Sequence, residues 1–272
     1  MPGEQQRFLV WGSGAIGGTV GAYLARAGHA VTFVDLVEEH IERICTPPGL
    51  RITVRRHCRR CPQRTPRAAA RVCVLTFRVA TIQGPVDEFS VVAPAVLPPD
   101  LEGQWDIVFL AVKAHHTRAA AEALAAHLSP DGYVVSFQNG LNELEIADVV
   151  GIGRTVGAFV NYGCDYQQPG EIMFGNHGAV VLGELDGSAS SRVVALQAVL
   201  SAAFNPDAVV TDNMCVYYAE IVCLIGKKSE PFPSCLLLRL RCCCLHTNLS
   251  CYAALATCGA SLATARCSRQ RR

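Results

Sequence analysis

The 272-residue chain has no uninterrupted run of the ~18 apolar residues that a membrane-crossing helix needs, although half of its side chains are hydrophobic. It has no signal-peptide pattern either: "MPGEQQR" leads at once into a strand-like run. A soluble, cytoplasmic protein without a membrane partner is the expectation. Acidic side chains are missing from two stretches. Residues 54–83 hold eight arginines and no acid, and residues 223–272 hold eight basic side chains and one acid, Glu230. The other 192 residues carry eight basic and 22 acidic side chains. Cysteine is divided the same way. Of fourteen, three lie in 54–83 and eight in 223–272, leaving only Cys45, Cys164 and Cys215. The chain reads as an acidic protein interrupted by one basic, cysteine-rich segment and ended by another.

That distribution argues against a disulfide framework. It argues against zinc too. His57, Cys58 and Cys61 contain a C-x-x-C with only Cys73 as a nearby third cysteine, whereas a structural zinc site needs two well-spaced ligand pairs. The adjacent cysteines of "CCCLH" (242–246) cannot all face one metal. The arginines invite a nucleic-acid reading through phosphate neutralisation. Phe77 is the only aromatic among them, so no nucleic-acid partner is expected. A translated non-coding insert explains the composition better. Val54 has a GT-N codon and Gln83 can have CAG, so an intron bounded by GT and AG would stay in frame across thirty codons. Residues 54–83 are accordingly expected to be a disordered insertion, extruded where Thr53 and Gly84 would otherwise join a β-hairpin.

What is present begins with "FLVWGSGAIGGTVGAYLARAGHAVTFVD", residues 8–35. Phe8, Leu9 and Val10 read as a buried strand. Gly12, Ser13, Gly14, Ala15, Ile16 and Gly17 form a G-x-G-x-x-G loop opening a helix over 15–27. "AVTFVD" is a second strand, and Asp35 ends it 21 residues beyond Gly14. Strand, loop, helix, strand and acid together make the dinucleotide fingerprint. Gly12 allows the tight turn, Gly14 admits a pyrophosphate against the backbone, and Gly17 lets the helix approach the strands. The helix N-terminus offers unpaired N–H groups to phosphate. Asp35 accepts hydrogen bonds from the adenosine ribose hydroxyls and repels a 2′-phosphate, which favours NAD.

Further elements alternate: a helix in "LVEEHIERI", strands in "GLRIT" and "WDIVFLAVKA", a helix in "HTRAAAEALAAHL", strand–turn–helix in "GYVVSFQNGLNELEIADVV", a hairpin in "TVGAFVNYGCDYQQPGEIMFGNHGAVVLGEL", and a helix in "SRVVALQAVLSAAF". The expected class is α/β, a Rossmann-type doubly wound parallel sheet, with residues 1–211 as the dinucleotide-binding domain. His115 and His116 read as a surface pair at a helix start, with substrate contact by one of them as the alternative.

The chain resembles the ketopantoate reductase (2-dehydropantoate 2-reductase) family. The likeness runs through the glycine loop, "DIVFLAVKAHHT", "VVSFQNGLNELE", the P-G hairpin and "TDN", covering residues 8–53 and 84–213. It implies reduction of ketopantoate to pantoate with a nicotinamide cofactor, NAD(P)H, usually NADPH in the family. It also implies a small 2-keto acid substrate and is compatible with a homodimer. By resemblance, Lys113 of "VKA" and Asn139 of "QNG" line the cofactor pocket, and Asn139 also reaches the substrate. Each follows the C-terminal end of an expected strand, where open α/β sheets bind ligands. The resemblance lapses after Asn213. Counted from Asp212, the family's proton-donating lysine falls on Ile221, while Lys227 and Lys228 come six and seven residues later. Residues 212–272 are therefore expected to be a remnant or replacement of the family's helical substrate domain. An impaired reductase is the first expectation. A dinucleotide-binding protein without chemistry, or a related hydroxyacid dehydrogenase, is the alternative.

Overall fold

The computed structural model describes residues 6–54 and 88–214. The basic segment past Val54, Gly84, the zinc candidates His57, Cys58, Cys61, Cys73 and Cys242–Cys244, and Ile221, Lys227 and Lys228 lie outside the described residues.

Strand β1 (Arg7–Trp11) is followed by α1 (Ala15–Arg26), β2 (Ala30–Val34), α2 (Glu38–Cys45), β3 (Leu50–Val54), β4 (Phe89–Val91) and β5 (Ala95–Val96). Then come β6 (Trp105–Leu110), α3 (Thr117–Leu124), β7 (Leu128–Ser136), α4 (Asn142–Val150), β8 (Thr155–Gln168), β9 (Glu171–Glu184), α5 (Ser191–Ala203) and β10 (Val209–Val210). Strands β5-β2-β1-β6-β7-β8 lie side by side and parallel, the doubly wound order of dinucleotide-binding sheets. The apolar runs of β1 and β6 are covered on both faces, as a parallel sheet requires.

The rest of the sheet is built from the two hairpins that the sequence indicated. β9 returns antiparallel to β8, β3 pairs parallel with β9, and β4 pairs antiparallel with β3. β8 and β9 are each fourteen residues long, and their register shifts around Asn161 and Gly163. Below that irregularity β8 continues the parallel sheet. Beyond it the same two strands carry β3 and β4 across α1. Bulges of this kind bend and twist a strand pair.

Helix α1 is thereby enclosed, with Gly17 through Leu24 all buried. A methyl group on Gly21 would strike the Phe33 ring and Val10, so this face meets β1 and β2. One on Gly18 would strike Ile172 of β9 and the Ser13 carbonyl. Tyr23 packs edge-on against Phe89 and Phe174, at 4.9 and 5.6 Å between ring centres. No helix among the described residues is long and apolar enough to cross a membrane.

The expected hairpin is present: Leu50, Arg51 and Ile52 pair with Val91, Ser90 and Phe89. Val54, read as the start of the insert, is the last residue of β3 and pairs with Phe174. Its β-branched side chain continues the β3 ladder, so the strand ends one residue later than composition indicated.

Two outcomes follow from this packing. Gly18→Ala gains about 1 kcal/mol of helix propensity, yet the overlap with Ser13 and Ile172 costs typically 1–3 kcal/mol. Thermal denaturation should show a net loss of stability, and a raised Tm would refute the close approach. Deleting residues 55–83 should leave a cooperatively folding domain, because the described ends of that segment face each other in one antiparallel pair. Circular dichroism and a thermal melt check this, and loss of the cooperative transition would show that the segment is needed.

Candidate functional site

The glycine loop crosses from β1 to α1 at the C-terminal edge of the parallel strands. Gly12 has φ +94° and donates its N–H to Val34 O at 2.8 Å. A side chain there would be strained and would press on Ala111 and Val112. A Cβ on Gly17 would overlap the Gly12 carbonyl. At Gly14 a Cβ would meet nothing within 4 Å, so that side of the loop is open to a ligand. Gly14 is also the N-cap of α1, with no side-chain cap and no acid in the first turn. The first N–H groups of any helix lack intrahelical partners. Here no side chain caps them, which suits phosphate.

Protein donors hold the other side of the loop. His40 Nε2 meets Ser13 O at 2.8 Å. The Tyr162 hydroxyl donates to Ile16 O at 2.9 Å, and Thr19 Oγ1 donates to Ala15 O at 2.7 Å. Complete burial drives the Tyr162 pKa well above the ordinary tyrosine value, so the group remains a neutral donor. Beside it burial raises the Cys164 thiol to about 11, which leaves it protonated and unreactive.

Asp35 stands just past the end of β2, and its carboxylate is more occupied than the sequence suggested. Oδ2 accepts from Ser13 N at 2.8 Å and from Ser13 Oγ at 3.0 Å. Oδ1 accepts from Leu36 N at 2.8 Å and Val37 N at 3.2 Å. The strand end lies against the loop, so the carboxylate organises Ser13 as well as facing the cleft.

A cleft of about 350 Å³ opens over this edge. Gly12, Gly14, Asp35, Leu36, Lys113 and His116 are among the residues that line it. Ser13 and Gly17 are buried behind them, and Ala15 and Ile16 are half-buried in the first turn of α1. Lys113 is exposed, just after β6, and precedes a 3₁₀ turn over Ala114–His116. Its charge reaches Cys164. His115 and His116 are both exposed, with ring centres 4.0 Å apart. Asn139 is exposed in the turn after β7 and is not part of the cleft lining.

Lys113 and Asn139 are nonetheless tied together. Gln138 Nε2 donates to Val112 O and to Thr117 Oγ1, both at 2.8 Å. Thr117 donates to Asn142 Oδ1 at 3.3 Å, and Asn142 Nδ2 donates to Asn139 O at 2.9 Å. Gln138, Thr117 and Asn142 are buried, so the network fixes the Lys113 segment against the Asn139 turn. Sequence reasoning named neither this network nor His40 and Tyr162. Gln138 stood inside the noted "QNG", but the others carry no local motif. Among the described residues no group of three or more His, Cys, Asp or Glu side chains converges as a metal site.

A 2-dehydropantoate 2-reductase of Halobacterium salinarum is 30% identical over 202 residues, covering 72% of this chain and 54% of the relative. The chain spans about half the length of the curated relatives it matches. Among solved structures, the 2-dehydropantoate 2-reductase of Methylococcus capsulatus is 26% identical with a TM-score of 0.57, over 81% of this chain and 64% of that one. A D-mandelate dehydrogenase solved with NADH and anilino(oxo)acetate shares the fold, with 20% identity and a TM-score of 0.59 over 77% and 57% of the two chains. The family model described as ketopantoate reductase PanE/ApbA matches residues 8–187, well over half of the sequence, and the chain belongs to that family.

Proposed function

We propose that the chain binds a nicotinamide dinucleotide along the glycine loop and derives from a reductase of small 2-keto acids, ketopantoate foremost. The observation that carries this reading is the arrangement around Gly14. An open approach, an α1 terminus without a side-chain cap and the Asp35 carboxylate all border one cleft, and Lys113 stands on its rim. Pyrophosphate lies against Gly14 and the first turn of α1, and the adenosine ribose faces Asp35. A ribose hydroxyl takes the Oδ2 position now held by the freely rotating Ser13 hydroxyl, while Ser13 N keeps its own bond. Lys113 offsets phosphate or carboxylate charge, and Asn139 orients the carboxamide or keto acid. The dinucleotide, when bound, supplies the hydride.

Charge favours NADH over NADPH. The first turn of α2 adds Glu38 and Glu39 beside Asp35, and Arg43 is turned toward Glu39 at 3.9 Å. Tyr166 lies close as well: burial first, then the charges of Asp35 and Glu39, raise its pKa. A 2′-phosphate would therefore enter an acidic corner. Calorimetry should give at least about tenfold tighter binding of NADH, since a charge conflict at about 4 Å is worth about 4 kcal/mol at an effective dielectric near 20, and tenfold needs only about 1.4 kcal/mol. Asp35→Asn should narrow the ratio. Equal or reversed affinities in the unmodified protein would refute the assignment.

The second reading, dinucleotide binding without turnover, is favoured by Ile221. A positioned general acid contributes roughly 10²–10⁴-fold by protonating the oxygen that receives charge as hydride arrives. Isoleucine has no proton to give. NADH oxidation with ketopantoate should accordingly be slower by about that factor than in a reductase with its lysine. Ordinary enzyme turnover would show that another residue donates the proton, and Lys227 and Lys228 would be the first to replace.

A further inference from the structure

His40 is 1% exposed on α2, and both of its ring nitrogens are engaged by partners 157 positions apart in the sequence. The Gly170 N–H donates to Nδ1 at 2.9 Å. A backbone N–H can only donate, so Nδ1 carries no proton and the ring proton lies on Nε2. There it meets Ser13 O, a pure acceptor, at 2.8 Å. The Tyr166 ring closes over His40 in an edge-on contact at 5.1 Å. Gly170 belongs to the Pro169–Gly170 turn that joins β8 to β9. The imidazole thus bridges the far end of the long hairpin and the middle of the glycine loop.

The chemistry of one peptide plane gives that bridge a consequence. A trans peptide is planar, and its C=O and N–H point in opposite directions. Ser13 O and Gly14 N–H belong to the same plane. Glycine on one side of the plane leaves it free to turn over. Turned over, it would aim the Ser13 carbonyl, its negative end, at the place where a phosphate sits.

We propose that His40 is a positioning residue for the dinucleotide site. It holds the Ser13 carbonyl on the buried side, so that the Gly14 N–H stays directed at the pyrophosphate. The Pro169–Gly170 turn anchors the imidazole in turn. His40 itself touches no cofactor. The inference rests on the glycine loop being a dinucleotide site.

Two substitutions separate the halves of the bridge. His40→Asn places an acceptor at the Nδ1 position for Gly170 but is too short to reach Ser13. His40→Gln places a donor at the Nε2 position and reaches Ser13. The full-length chain is compared with both by NADH calorimetry, thermal denaturation, and hydrogen exchange of the loop peptide without cofactor. His40→Asn should lose about tenfold or more in NADH affinity, as expected when a buried carbonyl is left unpaired, and exchange its loop amides faster. His40→Gln should stay within about threefold of the parent. Leu200→Ala, buried in α5, should lower Tm while leaving affinity unchanged. Equal affinities and exchange for the Asn and Gln variants would overturn the proposal. If the parent binds neither NADH nor NADPH, the dinucleotide reading fails. The exchange comparison then still decides whether His40 holds the loop.

Discussion

The structure depends on one enclosed helix. α1 is packed from more than one side because a single pair of long strands first extends the parallel sheet and then folds across it. That enclosure requires small residues on two faces, Gly17 and Gly21 toward β1 and β2, and Gly18 toward β9. It also brings donors from distant sequence against the start of the helix. Tyr162 comes from β8, and His40 is itself held by the β8–β9 turn. Covering the helix and shaping the loop are consequences of one packing arrangement.

The polarity of the loop follows from the same constraint. Buried backbone carbonyls need donors. Ser13 O, ahead of α1, finds one in His40, while Ala15 O and Ile16 O, inside the helix, take a further donor each from Thr19 and Tyr162. With the Ser13 carbonyl held inward, the Gly14 N–H of the same trans peptide plane points the opposite way. Ser13 shows the economy of the arrangement. Its amide and hydroxyl are held by Asp35 and its carbonyl by His40, so one serine is fixed between the acid that follows β2 and the histidine anchored by the hairpin that covers the helix.

The glycine loop, Asp35 and the strand-end positions of Lys113 and Asn139 were legible from residues near one another in sequence. Their signal is local: a tight turn, a close approach and a strand end each leave a mark within a few positions. The order of the parallel strands was legible as a class, because alternating apolar strands and helices have few ways to pack. The long-range bracing was not. His40 and Ser13 are 27 residues apart, and Tyr162 and Ile16 are 146 apart. Nothing around His40 or Tyr162 distinguishes a brace from an ordinary core residue. The same holds for Gln138, whose role became visible only when Val112, Thr117 and Asn142 met around it.

A dinucleotide-type βαβ unit and a basic, acid-free stretch from 54 to 83 can both be read from the chain alone. These are matters of residue identity and spacing. That β3 and β4 join the sheet beyond β9, and not beside β2, was settled by the fold of the chain as a whole. The fold also decided that Asp35 grips Ser13, and that the Ser13 carbonyl is held inward. Strand pairing and hydrogen-bond partners across more than a hundred residues depend on the shape of the whole chain. A bent strand pair satisfies the buried polar groups of α1 in a way that no local pattern encodes.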